Sequence, residues 1–163
     1  MSTVPFQLQV GWRALQQRLI GPAADGCLVS NQIASVELQD ESGRIVSGQL
    51  YCSTQPPWRM SLLVADIVNL QCQERDLFEC MVVLRQHLSK QRWLLLCNGA
   101  RTDVYPSGMS REMSGGMMAY RHQLGIKPTR DDLVSILDYA PPESIGTPEE
   151  QRQYRTSWMQ SLT

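Results

Sequence analysis

The chain lacks any apolar stretch approaching the ~20 residues that a membrane-spanning helix requires. Its opening decapeptide, MSTVPFQLQV, has neither a basic leader region nor a long apolar core. These absences predict a soluble, cytoplasmic protein with no membrane partner. A surplus of positive charge is also missing: 15 Lys and Arg against 16 Asp and Glu leave a formal net charge of −1. Gripping nucleic acid through its phosphates normally needs a clear basic excess, so nucleic acid is not an expected partner. The five cysteines (Cys27, Cys52, Cys72, Cys80 and Cys97) are odd in number and show no C-x-x-C spacing. They read as reduced, mostly buried thiols in a reducing compartment.

The usual catalytic and cofactor signatures are absent too. There is no H-E-x-x-H and no cluster of Cys and His at ligand spacing, so neither metal nor cofactor is expected. Asp131-Asp132 reads as a charge pair at a helix start. G-x-G-x-x-G and the Walker pattern do not occur, which removes the nucleotide-binding fingerprints. Without G-x-S-x-G, Ser107 and Ser110 have no nucleophile elbow. The two histidines are expected in ordinary roles, His87 near a helix C-terminus and His122 on a helix surface. No residue is therefore assigned a catalytic role, and the chain leans away from being an enzyme.

What is present is a globular composition, 42% apolar and 19% charged over 163 residues. That suits one domain, residues 1–163, with a substantial core. Phe6, Leu8 and Val10 alternate like a strand, while Trp12, Leu15 and Leu19 fall at helical spacing, up to a break at Gly21-Pro22. Ala34, Val36 and Leu38 alternate with polar residues, and residues 33–52 read as a hairpin turning at Asp40–Gly43. After Pro56-Pro57, Met60 to Val68 reads as one central strand covered on both faces. Residues 73–90 read as a helix with Leu77, Met81, Leu84 and Leu88 as its apolar stripe. Glu74 and Asp76 at its start, and Arg85, His87 and Lys90 towards its end, complement the helix dipole. Trp93 to Cys97 follows as a strand, so residues 60–97 form a βαβ unit.

Met109, Met113, Met117, Tyr120 and Leu124 fall at helical spacings, weakened by Gly115-Gly116. One interrupted helix, or a loop followed by a helix from about Gly116, would satisfy them. Residues 129–140 read either as a helix start at Thr129 or as a strand from Val134. Thr147, Pro148 and Glu150 form a helix start with a T-x-x-E capping box, followed by a Tyr154, Trp158 and Leu162 face. Together these elements predict an α/β or α+β domain with a mixed sheet of about five or six strands and helices packed on it.

The working surface is expected in WLLLCNGARTDVYPSGMSREMSGG, residues 93–116, where a buried strand delivers a long polar loop. Asn98, Arg101, Asp103, Tyr105, Ser107, Met109, Arg111 and Met113 are the candidate partner- or ligand-binding residues. Arg101 and Arg111 suit a carboxylate or phosphate in a bidentate fork. Alternatively, Asp103 and the arginines pair with one another and tie the loop down. The methionines suit a surface that repacks against a partner, or else a stripe packed on the core.

The segments NGARTDVYPSGMSREMSGG, DLVSILDYAPP and TPEEQRQYRTSWMQSL, spanning residues 93–162, resemble small bacterial proteins associated with polymorphic toxins of the rearrangement-hotspot type. Several such proteins look like immunity proteins. The resemblance implies a cytoplasmic protein that binds and blocks a cognate toxin, and it carries over no catalytic residue. The near-neutral charge departs from the strongly acidic character of many such inhibitors and removes long-range steering. The alternative is a small enzyme or anionic-ligand-binding domain with its site in the 98–116 loop. There Arg101 or Arg111 would hold the anion, and Asp103 or Tyr105 would move the proton.

Overall fold

The computed structural model describes residues 31–163. The strand or helix expected between Phe6 and Leu19, and Cys27, lie outside the described residues. The expected hairpin is β1 (Asn31–Asp40) and β2 (Ile45–Ser53), paired antiparallel with Val36 opposite Gly48 and Leu38 opposite Val46. Its turn is organised by the Asp40 carboxylate, which accepts from the Ser42 and Arg44 backbone N–H groups at 2.9 and 3.0 Å. This is the local backbone capture that makes Asp a turn former.

The apolar run from Met60 to Val68 is not one central strand. It divides into β3 (Trp58–Val64) and β4 (Val68–Glu74), an antiparallel hairpin turning at residues 65–67. Asp66 takes a positive φ of 57° there. In β4 the side chains alternate between buried and exposed, so the outer face is polar and only one face joins the core. Because β4 continues to Glu74, the expected helix start at Gln73 moves to Leu77. Helix α1 (Leu77–Lys90) begins behind Asp76, whose extended backbone and carboxylate, accepting from Glu79 N at 2.8 Å, make it the N-cap.

Strand β5 (Trp93–Leu95) completes a five-stranded sheet of order β4-β3-β2-β1-β5, with every neighbouring pair antiparallel. β4 and β5 thus run the same way at opposite edges. The strand–helix–strand unit of residues 60–97 does not join adjacent parallel strands; α1 crosses the width of the sheet instead. The predicted stripe of Leu77, Met81, Leu84 and Leu88 is fully buried against Leu38, Leu50, Leu62 and Leu70 of the sheet. Each such side chain contributes roughly 1.5–3 kcal/mol of transfer free energy.

The remaining chain forms a second layer: β6 (Val104–Tyr105), α2 (Gly108–Ser114), β7 (Met118–Arg121), β8 (Leu133–Ser135) and α3 (Pro148–Ser161). The three strands pair in the order β6-β7-β8. The methionine stripe does not lie on one helix, because α2 stops at Ser114 and the residues from Met118 are strand. Gly115 and Gly116 end α2 with φ of 60° and 78°, a left-handed pair that glycine adopts at little cost. The Gly115 carbonyl then accepts from Leu77 N at 2.7 Å, joining the end of α2 to the start of α1. In the 129–140 segment a 3-10 turn at Arg130–Asp132 precedes β8. Helix α3 has the predicted start: Thr147 caps Glu150 N at 3.1 Å, Glu150 reaches back to Thr147 N at 2.7 Å, and Pro148 lies in the first turn.

A Cβ on Gly115 would overlap the Trp58 ring as well as strain the left-handed backbone, whereas one on Gly108 would meet open space. Gly115→Ala is expected to destabilise by about 2 kcal/mol or more. Gly108→Ala should stabilise by about 0.5–1 kcal/mol. Urea unfolding midpoints of the two variants check this, and shifts of equal sign would refute it.

Candidate functional site

The loop after β5 is held from below by a buried polar junction. Arg85, in mid-α1, is only 4% exposed, and Gln151 of α3 is 1% exposed. Arg85 Nη1 donates to Gly99 O at 3.1 Å and to Gln151 Oε1 at 2.7 Å; Nη2 donates to Ala100 O at 3.2 Å and Gly146 O at 2.5 Å. Gln151 Nε2 faces the carbonyls of Gly99, Arg101 and Val104 at 3.1, 2.6 and 2.9 Å. Arg85 therefore does not serve the helix dipole, as its place in the sequence suggested. It ties α1, the 3-10 turn at Asn98–Ala100 and α3 together. Burial lowers its pKa to about 10, which leaves it charged at neutral pH.

Above this junction most of the predicted site residues have specific neighbours. Asn98 Nδ2 donates to Ser135 O at 3.2 Å. Arg101 grips Asp103 with a bidentate fork, Nε and Nη2 each at 2.7 Å from a carboxylate oxygen. Ser107 caps α2, accepting from Ser110 N at 3.0 Å. Arg111 reaches back to α1, pairing with Asp76 and with Glu79 Oε1 at 3.2 Å. Its guanidinium also lies 5.4 Å from the Phe78 ring centroid and 5.5 Å from that of Tyr105. Tyr105 meets Phe78 edge-on at 5.0 Å, and Arg155 covers it at 4.2 Å. Arg101 and Asp103 are thus brought together, while Arg111 sits apart with the α1 N-terminus. Met109 and Met113 are different: they stand 70% and 82% exposed, one helical turn apart on α2. For these two the core-stripe expectation gives way, because α2 is only 7 residues long and its stripe ends at Gly115.

At the Arg101–Asp103 pair lies a notch of about 330 Å³ lined also by Arg121, His122, Gln123, Asp132 and Tyr154. His122 is not on a helix surface. It follows β7, is 7% exposed, and stacks on Trp158 with ring centroids 3.9 Å apart. Its Nδ1 is buried with no hydrogen-bond partner. Burial, and then the positive charge of Arg155, lower its pKa despite opposing pulls from Asp103 and Asp132. Sequence reasoning missed this histidine and Gln151, since only the return of α3 onto the earlier elements buries them, His122 under Trp158 and Gln151 against Arg85 and the carbonyls of Gly99, Arg101 and Val104. The helical face that contains Tyr154 and Trp158 was the available signal. A larger hollow of about 510 Å³ opens beside β1, between Glu37, Ser47, Leu96 and Tyr139.

Cys52, Cys72, Cys80 and Cys97 are free and buried. Burial pushes the Cys52 thiol up to about 12 and Cys97 up to about 11, so both stay protonated and unreactive. Among the described residues, no group of three or more His, Cys, Asp or Glu side chains is placed to hold a metal ion. No described helix is long and apolar enough to cross a membrane. No family model matches the chain, and no curated protein matches it in sequence.

Removing either half of the buried junction strands polar groups. Arg85→Met is expected to cost about 3 kcal/mol and Gln151→Leu about 2 kcal/mol, read by chemical denaturation. An Arg85→Met protein as stable as the parent would show that the junction contributes nothing.

Burial lowers the pKa values of His122 and His87 in the folded chain. The unfolded chain then binds protons first as pH falls. Stability should be full above about pH 6.5, the ordinary imidazole value, and should decline as pH drops below it towards the folded-state values. His122→Phe, which can keep the stack on Trp158, should flatten the decline between about pH 6.5 and 5. A pH–stability curve of unchanged slope in this variant would remove His122 as the cause.

Proposed function

We propose that this protein is a protein-binding inhibitor, an immunity protein that binds and neutralises a cognate bacterial toxin in the cytoplasm. The observation that carries the reading is the pair Met109 and Met113, exposed side by side on a short helix anchored at both ends. Ser107 caps one end, Gly115 closes the other, and Arg111 between them is tied to Asp76 and Glu79. A partner meeting this helix orders only the flexible thioether side chains, because the backbone is already placed. Thioethers adapt their shape to the facing surface, which suits a recognition patch. The resemblance of residues 93–162 to immunity-type proteins points the same way, and four buried free thiols suit a reducing compartment.

The reading as a small enzyme or anion-binding domain worked by the 98–116 loop has less support. Both guanidinium groups that would hold the anion are occupied, Arg101 by Asp103 and Arg111 by Asp76 and Glu79. Tyr105 lies between Phe78 and Arg155 rather than over an open pocket.

Co-purification of tagged protein with the products of neighbouring genes tests the reading. A stoichiometric partner, toxic alone and harmless when co-expressed with this protein, is the expected result. The double variant Met109→Glu/Met113→Glu should then lose roughly 100-fold in affinity, the scale of an interface hot spot. Its melting temperature should stay within about 2 °C of the parent, since both side chains are exposed. Undiminished affinity in the folded double variant would remove α2 as the contact.

A further inference from the structure

We propose that the outer edge of β1, from Ile33 to Glu37, is a docking edge for an extended segment of a partner protein, which adds beside β1 as a further strand and carries a Lys or Arg side chain to Glu37. The edge shares no residue with α2 and does not depend on the toxin-binding reading.

The edge is open because β5 is much shorter than β1. β2 pairs along nearly the whole of β1, from Asn31 opposite Ser53 to Gln39 opposite Ile45. β5 covers only the last part, with Leu38 opposite Leu95 and Asp40 opposite Trp93. Leu96 N donates to Glu37 O at 2.8 Å, and there the pairing stops. The chain then turns away: Cys97 bridges to Tyr139, and Asn98 N donates to Asp138 O at 2.8 Å. In a strand the N–H and C=O of one residue point to the same side, and successive residues point to opposite sides. Asp40 N donates to Arg44 O at 3.0 Å, towards β2, so the even-numbered residues of β1 face β2. Glu37 O faces β5, and Ile33 and Ser35 therefore aim their N–H and C=O groups at the open edge. Among the described residues, no backbone hydrogen bond reaches these four groups.

Such a row of backbone groups is a template for another strand, and residues 31–36, NQIASV, hold no charge and no proline that would block pairing. The hollow of about 510 Å³ lies against the same stretch. Val36, Leu96 and Leu137, all buried, give it an apolar wall, while Ser35, Glu37 and Ser47 give it a polar one. A segment of alternating apolar and polar residues meets both walls, because its successive side chains point to opposite faces. Glu37 is half-buried, is the one charged residue among the described lining, and forms no ion pair among the described residues. Its carboxylate sets the sign of the occupant's charge as positive. Tyr139, 59% exposed in the same lining, offers its ring to the cation or its apolar stem. The β1 strand of a second copy fits less well, since NQIASVELQD carries Glu37 and Asp40 and has no Lys or Arg.

The test uses the full-length protein and the capped peptide acetyl-Thr-Val-Lys-Val-Thr-amide, with backbone amides followed by NMR. In the free protein the Ile33 and Ser35 amides should exchange with solvent roughly 100-fold faster than those of Ala34 and Val36, which face β2. Peptide added to about 5 mM, above a millimolar Kd, should move the Ile33 and Ser35 signals saturably and slow their exchange. The same peptide with Glu in place of Lys should bind about fivefold more weakly, and Glu37→Gln should weaken the Lys peptide by a similar factor. Ser35→Pro removes an outward N–H and leaves the bonds to β2, because proline is tolerated where the N–H faces an open edge; it should weaken binding at least about tenfold. A fully N-methylated peptide gives the same reading from the ligand's side whether or not that variant folds: it keeps the side chains, lacks every backbone donor and should not bind.

Slow exchange of Ile33 and Ser35 in the free protein would overturn the proposal. Protection that grows with protein concentration would assign the edge to a second copy, and protection independent of concentration would assign it to the chain itself. Unmoved amides at the highest peptide concentration, equal binding of the Lys and Glu peptides, or undiminished binding of the N-methylated peptide would overturn it as well. None of these results would bear on Met109 and Met113.

Discussion

The arrangement of the second layer depends on one buried cation. Arg85 sits in the middle of α1, forms no ion pair among the described residues, and is held by backbone carbonyls and the Gln151 amide. Desolvating a guanidinium is costly, and here the cost is offset by acceptors gathered from three separate segments. Gly99 O also accepts from Gln151 Nε2 and Ala100 O from Gly146 N, so the guanidinium joins a network that ties the three segments together. Gln151 extends the same logic, saturating the carbonyls of Arg101 and Val104 that begin the polar loop. Polar complementarity, more than apolar contact, positions α3 against α1.

On that base the 98–116 region is ordered throughout by short elements and ion pairs. The Arg101–Asp103 fork, the Ser107 cap and the Arg111 contacts with α1 each consume a group that would otherwise be available to a ligand. What remains for recognition is the Met109 and Met113 pair, held on a helix too short to be stable alone. Its stability is borrowed from the Gly115–Leu77 hydrogen bond and from the Arg111 link to the α1 N-terminus. At the β7–β8 turn, Gly125 N bonds to Ser161 Oγ at 2.7 Å and Trp158 Nε1 to Ile126 O at 2.9 Å. These bonds tie the turn to α3, which carries the Trp158 ring stacked on His122.

The parts of the chain legible in sequence are those settled within a few residues. The β1–β2 hairpin follows from alternation around the Asp40 turn, the α1 stripe from Leu77, Met81, Leu84 and Leu88, and the α3 start from Thr147, Pro148 and Glu150. Where two local patterns overlapped, the reading erred. Met60 to Val68 is apolar enough for a single strand, yet it carries the β3–β4 turn. The Met109 to Leu124 spacing is helical, yet two left-handed glycines divide helix from strand.

The sequence by itself determined the β1–β2 hairpin, the buried face of α1 and the capped start of α3, because hydrophobic periodicity, caps and backbone preferences act over short range. Only the tertiary structure decided which polar groups are spent and which are free. Arg111 meets Asp76 across 35 positions, and Arg85 meets Gln151 across 66. No local pattern encodes such pairings; they follow from how the second layer folds back on the first. That same fold-back buried His122 and turned Met109 and Met113 outward.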